Sequence, residues 1–396
     1  MRLPRIIPVI LLIGVAIGAW FWLRPQSPDL PHGISLQQFR RAETRLTASL
    51  RRSPEPAEVW MRLGMDAATS EVLLDDVQLL AAAACFRRIA DSHVLAPSAR
   101  LQEGHLWLKH QVAAEAEQSY RDVLAIAESA DVEPAISATA RSFLIYILSV
   151  EIRLEERSLI LRDAGDRARP WTSGDPLALS LNECKQLYFP HMLGLNSEKG
   201  RRQLGKFLET DPDNPNLLAA QGRYLTLNGQ LDQARHYLEA VIKKHPIPEC
   251  RAALLDCCYQ QDDWSRIEEL LPNTVAEQEL WLVTRLRGQR ALRNKEWKEA
   301  EAFFRQLLSE ESSDQESHIG LAAALKGQQR DRDRQDVLRA SAVLARIRVE
   351  MVRVRDNTPE EAKALAGLCR LAGLSEAASD FGWHARRMAD QAEGQQ

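Results

Sequence analysis

Cysteine pairs at ligand spacing, β-branched runs and blocks of like charge are scarce in this 396-residue chain, and each shortage closes off a class of protein. The six cysteines stand at 85, 184, 250, 257, 258 and 369 without a CxxC pair, which signals neither a disulfide framework nor a zinc site. Each falls among apolar residues in a helical pattern, where a free thiol packs as a small hydrophobe. Aromatics are only 6% of the residues, and β-branched runs are scarce outside the N-terminus, which disfavours sheet. Lys+Arg 51 against Asp+Glu 55 gives a net charge of -4 with both signs interspersed. Phosphate binding needs a concentrated basic surface, so nucleic acid is not an expected partner.

Signatures of catalysis are missing as well. No H-E-x-x-H, no Gly-rich loop with Lys and no G-x-S-x-G occurs. Of nine histidines, His105 and His110 lie five apart, which places them about 140° apart on a helix and argues against a shared metal. Adjacent acids such as Asp262 with Asp263 and Glu310 with Glu311 fall at expected helix ends and read as solvated turns. No catalytic residue, metal or cofactor is therefore assigned.

What remains is helix. Ala, Leu, Arg, Glu and Gln recur throughout, and an all-α fold follows from their propensities. After a flank at 1–5, Ile6 to Leu23 is an 18-residue stretch without a charge, bounded by Arg2, Arg5 and Arg24. At the helical rise it spans about 27 Å, enough for one bilayer crossing. Trp20, Phe21 and Trp22 suit the headgroup interface. The competing reading is a cleaved signal peptide over residues 1–19, because Ala16, Ile17 and Gly18 give small residues at a cleavage spacing. The Pro-rich stretch 24–33 is a spacer, and 34–52 opens with the capping box Ser35 and Gln38 and carries Leu36, Phe39, Leu46 and Leu50 along one stripe. A capping helix is expected there.

From residue 57 onward the same small and large residues return at fixed offsets. Trp60, Leu63 and Gly64 have W-x-x-L-G spacing; Gly104, Ala116 and Tyr120 follow Pro97 at the eighth, twentieth and twenty-fourth positions. Gly222, Ala234, Leu238 and Pro246 repeat those slots from Pro215, and Gly288, Ala300 and Phe304 do so from Trp281. The polar turns before Leu231, Trp264 and Trp297 recur about 33 residues apart, a period that signals stacked helix pairs. The pattern over roughly residues 57 to 388 resembles the tetratricopeptide repeat family, in particular its bacterial membrane-anchored members. The resemblance implies a right-handed α-solenoid of antiparallel helix pairs that binds other proteins or extended peptides in a concave groove.

On that resemblance the expected organisation is a first repeat segment at 53–164, an irregular loop at 165–180, a second segment at 181–390 and a polar tail at 391–396, with a hinge at the irregular stretch 134–180. Residues 315–357 are helical but out of register. The family's groove positions fall on His105, Lys109, Lys185, Phe189, Arg223, Thr226, Arg285, Gln289 and Arg293, a mixed set with basic character suited to an acidic or extended peptide. The functional expectation is a membrane-anchored interaction scaffold, with the repeats on the extracytoplasmic, periplasmic side. Two alternatives stay open: a helical-barrel hydrolase acting on envelope polysaccharide, and a soluble secreted repeat protein. Oligomeric state is not legible.

Overall fold

The computed structural model describes residues 57–68, 76–129, 132–168, 178–191, 198–271, 279–353 and 358–393. The stretch Ile6 to Leu23, the spacer and the capping helix at 34–52 lie outside them. Among the described residues every regular element is a helix, and none is long and apolar enough to cross a membrane. The chain divides into two compact units, the first ending at Leu106 and the second starting at Trp107. The sequence pattern places the interruption at 134–180. Residues 134–168 instead form two helices within the second unit.

In the first unit, α1 (Ala57–Ala68) and α2 (Asp76–Arg87) pair, and α3 (Ala96–Lys109) follows. The pairing rests on a close approach, since a Cβ on Gly64 would lie 2.6 Å from the Phe86 ring. Trp60, Ala82, Phe86 and Ile89 are buried around it. Arg100 ties the loop after α2 to α3, donating to the Phe86 and Ile89 carbonyls at 2.8 and 3.1 Å.

The second unit continues with α4 (Ala113–Ser129), α5 (Pro134–Val150), α6 (Leu154–Ala168), the short α7 (Leu181–Tyr188) and α8 (Glu198–Thr210). Then come four pairs: α9 (Pro215–Leu227) with α10 (Leu231–Lys244), α11 (Pro248–Gln260) with α12 (Trp264–Leu270), α13 (Trp281–Arg293) with α14 (Trp297–Glu310), and α15 (Gln315–Gly327) with α16 (Asp331–Arg353). A final pair, α17 (Pro359–Leu371) and α18 (Ser375–Glu393), closes the described chain.

One turn is used again and again between paired helices. Gln111, Ile152, Gly229, Asp262, Lys295, Gln329 and Gly373 all have positive φ, each one residue before the next helix or its N-cap. The residue after each donates its N–H five residues back, as Gln230 does to Leu225 and Glu296 to Ala291. This is the Schellman closure, which satisfies helix-end carbonyls and needs a left-handed residue that glycine adopts without strain. Its recurrence at 229, 262, 295 and 329 gives the solenoid its period. It also brings 315–353, out of register by sequence, into line as an ordinary pair whose second helix is 23 residues long.

Packing within a pair follows the eighth and twenty-fourth positions. A Cβ on Gly222 would stand 2.2 Å from Leu238 Cδ2, and one on Gly288 2.8 Å from the Phe304 ring. Only a missing side chain lets the helices cross so closely.

The second unit also folds back on itself through α7. Ser180 and Glu183 form a capping box that starts this eight-residue helix. Its Lys185 Nζ lies 2.6 Å from Glu361 on α17, and the Tyr188 hydroxyl donates to Asp380 on α18 at 2.5 Å. Phe189 stacks on Phe381 with centroids 6.1 Å apart. On its other side Arg141 of α5 donates to Glu183 at 3.0 Å, both nearly out of solvent. Leu161, Leu179, Leu187, Leu344, Ile347, Leu365 and Phe381 share the resulting core.

Candidate functional site

In the regular pairs the first helices α9, α11, α13 and α15 present one face inward, and their fifth and ninth positions carry Arg223, Asp256 and Arg285. Asp314, the N-cap of α15, completes the row. Arg285 Nη1 lies 3.2 Å from Asp314 and 3.3 Å from Glu316, while Ser317 donates to the other Asp314 oxygen at 2.5 Å. Burial raises the Asp256 carboxyl above the usual range, against the pull of Arg285 and Arg223. Burial works against the Asp314 carboxylate, but the Arg285 guanidinium and the Ser317 hydroxyl hold it below its usual range.

This row is covered by the chain's own middle segment. Arg223 Nη1 donates to the carbonyl of Ile152, the left-handed residue between α5 and α6, at 2.6 Å. Glu155 accepts from the Trp281 N–H at 3.2 Å, and Arg162 donates to the Glu310 carbonyl at 2.7 Å. Arg157 donates to Ser149 and to the Pro190 carbonyl. His191 packs its ring on Trp281 at 5.8 Å, and burial among three guanidinium groups pushes it down to about 4. The neutral imidazole thus sits between Arg285, Arg157, Arg223 and Asp314 without adding a fourth positive charge. The arrangement can hold residues 152–162 and 190–191 against the inward face as an internal ligand.

Glu311 departs from the expected solvated turn. It is buried, accepts from the Ser313 N–H at 2.9 Å and from its hydroxyl, and burial pushes it up to about 8. The folded state keeps this proton to about pH 8, while a free carboxyl releases it near 4.5. Between those values the folded state binds more protons, so this group makes stability fall as pH rises. Glu311→Gln keeps the acceptor oxygen and removes the titration. Urea midpoints at pH 5 and 8.5 should show the variant gaining on the parent at the higher pH; identical pH profiles would place Glu311 in solvent.

The sequence-predicted groove residues separate into three groups. Arg223 and Arg285 share the inward row, and Thr226 is buried beside them, its hydroxyl donating to the Gly222 carbonyl. Lys185 and Phe189 lie elsewhere, buried against α17 and α18. Among the remainder, Gln289 is half-buried, Arg293 is exposed with its guanidinium 5.1 Å over Trp264, and Lys109 is exposed. His105 is half-buried and held below its usual pKa by burial. Asp256 was readable from the sequence, standing 33 residues after Arg223 at the same offset. Arg157 and His191 had no such signal, because they lie on the middle segment outside the regular pairs, and Glu361 stands at the third position of α17, which is not a groove offset. Among the described residues no cluster of three His, Cys, Asp or Glu is placed to hold a metal.

Residues 219–265, which run from α9 to the start of α12, match the family model of the tetratricopeptide repeat. These residues are a tetratricopeptide repeat. No curated protein matches the chain. Among solved structures, the chain is similar to a tetratricopeptide repeat protein from Parabacteroides merdae, at 14% identity and TM-score 0.32, covering 68% of this chain and 98% of that one. The human IFIT1 dimer with m7Gppp-AAAA is 14% identical at TM-score 0.33, covering 78% and 73%. The APC/C hetero-tetramer Cut9-Hcn1 is 10% identical at TM-score 0.37, covering 87% and 83%.

Proposed function

We propose that this protein is a membrane-anchored scaffold that recruits or organises partner proteins at the cell envelope. Tetratricopeptide repeats generally mediate protein–protein interaction, and the repeat matched at 219–265 is the observation that carries the reading. The uncharged stretch Ile6 to Leu23 supports a tether, and the Pro-rich residues 24–33 support reach from the bilayer, with the repeats on the periplasmic side. Arg223 and Arg285 are engaged with Ile152, Asp314 and Glu316 of the same chain. Partners therefore meet the outward faces and helix ends rather than that inward row.

Crosslinking in the native cell, followed by identification of captured proteins, tests the scaffold. Membrane fractionation of the full chain beside a chain lacking residues 1–23 tests the tether. The expected result is a reproducible captured set, a full chain that resists carbonate extraction and a shortened chain that does not. Capture at background level would sink the scaffold, and a mature N-terminus beginning near residue 19 would replace the tether by secretion.

A further inference from the structure

The helix α16 is the longest of the described chain, and it is packed on one side only. Leu344, Ile347 and Met351 are buried in the core shared with α7, α17 and α18, and Val337 packs toward Phe304 and Leu325. On the opposite side Leu338 and Val349 are 38% and 61% exposed, with Ala342 exposed and Ala345 half-buried between them. These four residues are spaced 4, 3 and 4 apart, so they fall within an arc of about 60°. That is the a/d spacing of a coiled-coil seam.

The positions beside a seam choose its partner through charge. Here they are filled by one sign. Arg332, Arg339 and Arg346 follow one edge; Arg334 and Arg348 follow the other, interrupted by the buried Ser341. Arg332, Arg346 and Arg348 make no ion pair among the described residues. Arg339 pairs with Asp336, and Arg334 lies 3.9 Å from Asp331, both exposed contacts of little strength. Of the four acids on this helix, Asp333, Asp336 and Glu350 lie farther round it, and Asp331 is in line with the seam only at its first turn.

We propose that the exposed face of α16 is a docking seam for an amphipathic partner helix with apolar residues at a and d and Glu or Asp at e and g. The inference rests on the scaffold reading and names one class of partner for it. A second copy of this face would set arginine edges against arginine edges, which is repulsive. The stretch 34–52 of the same chain repeats the sign, with Arg40, Arg41, Arg45, Arg51 and Arg52 against Glu43. An anionic bilayer meets the charge but not the stripe, because two alanines leave only Leu338 and Val349 to enter lipid, whereas interfacial helices use bulky apolar residues. The same alanines let another helix backbone come close.

A labelled four-heptad peptide with Leu at a and d and Glu at e and g serves as the probe, titrated with the full chain and followed by fluorescence anisotropy. The acidic probe should bind the parent, and Arg346→Glu with Arg348→Glu should weaken it at least about tenfold. A probe carrying Lys at e and g should reverse that order, preferring the double variant. Equal binding of both probes to the parent, or unchanged binding of the acidic probe to the variant, overturns the seam. So does sedimentation that shows a parent dimer lost in the double variant, or Arg346- and Arg348-dependent binding to phosphatidylserine vesicles with no binding of the probe. Crosslinked partners that persist in cells bearing the double variant would overturn the seam while leaving the scaffold standing.

Discussion

Lys185→Met should destabilise the closure of the second unit by about 3–5 kcal/mol, since it leaves the Glu361 carboxylate buried without its cation. The two side chains are 6% and 1% exposed, and the second Glu361 oxygen is buried with no hydrogen-bond partner, so no nearby group takes over. The damage should be local. Hydrogen exchange should rise across α7, α17 and α18, while α9 to α14 keep their protection, because the pair sits where the C-terminal helices return to α7. The double variant Lys185→Met with Glu361→Leu should recover most of the loss, since replacing both members of a buried pair by apolar groups is often neutral. A single variant with the same exchange profile as the double would show that the pair does not hold the closure.

Phe304→Ala should cost a comparable 3–5 kcal/mol, roughly, through the cavity left in a tightly packed site. The ring is fully buried and serves two interfaces at once: a Cβ on Gly288 would lie 2.8 Å from it, and one on Gly320 2.3 Å. It is therefore the contact between α14 and the first helices of its own pair and the next. Gly320→Ala in the parent should destabilise by overpacking, whereas in the Phe304→Ala background the added methyl enters vacated space. The two changes should be non-additive, with the double variant more stable than the sum of the singles. Strict additivity in urea titrations would mean that the ring does not fill the space between those glycines.

The tetratricopeptide pairing was legible because it is local. Gly222 with Leu238 and Gly288 with Phe304 are each separated by 16 residues, and the apolar stripe, the small residue and the turn that join them all repeat. Legibility failed where contacts skip that period. Lys185 and Phe189 fit the groove offsets of a first helix. In the structure α7 is a short keystone whose Lys185 and Tyr188 meet partners 176 and 192 residues away in sequence. Glu311 falls at an expected helix end, where an acid reads as a solvated turn, yet the Ser313 N–H and hydroxyl enclose it. The inward row was half visible: Arg223 and Arg285 were found by offset, but the segment covering them belongs to no repeat.

By itself the sequence determined the helices, the turns between paired helices and the residues at which neighbouring helices touch. Propensity, apolar periodicity and small-residue spacing act over one or two helices, and each copy states them again. Only the tertiary structure decided that 152–162 lies on the inward face, that Lys185 is buried against Glu361, and that the unpacked side of α16 is an apolar seam between arginines. Those outcomes depend on which face of a helix is left over after its partners are placed. That remainder is fixed by single long-range contacts, which no period in the chain records.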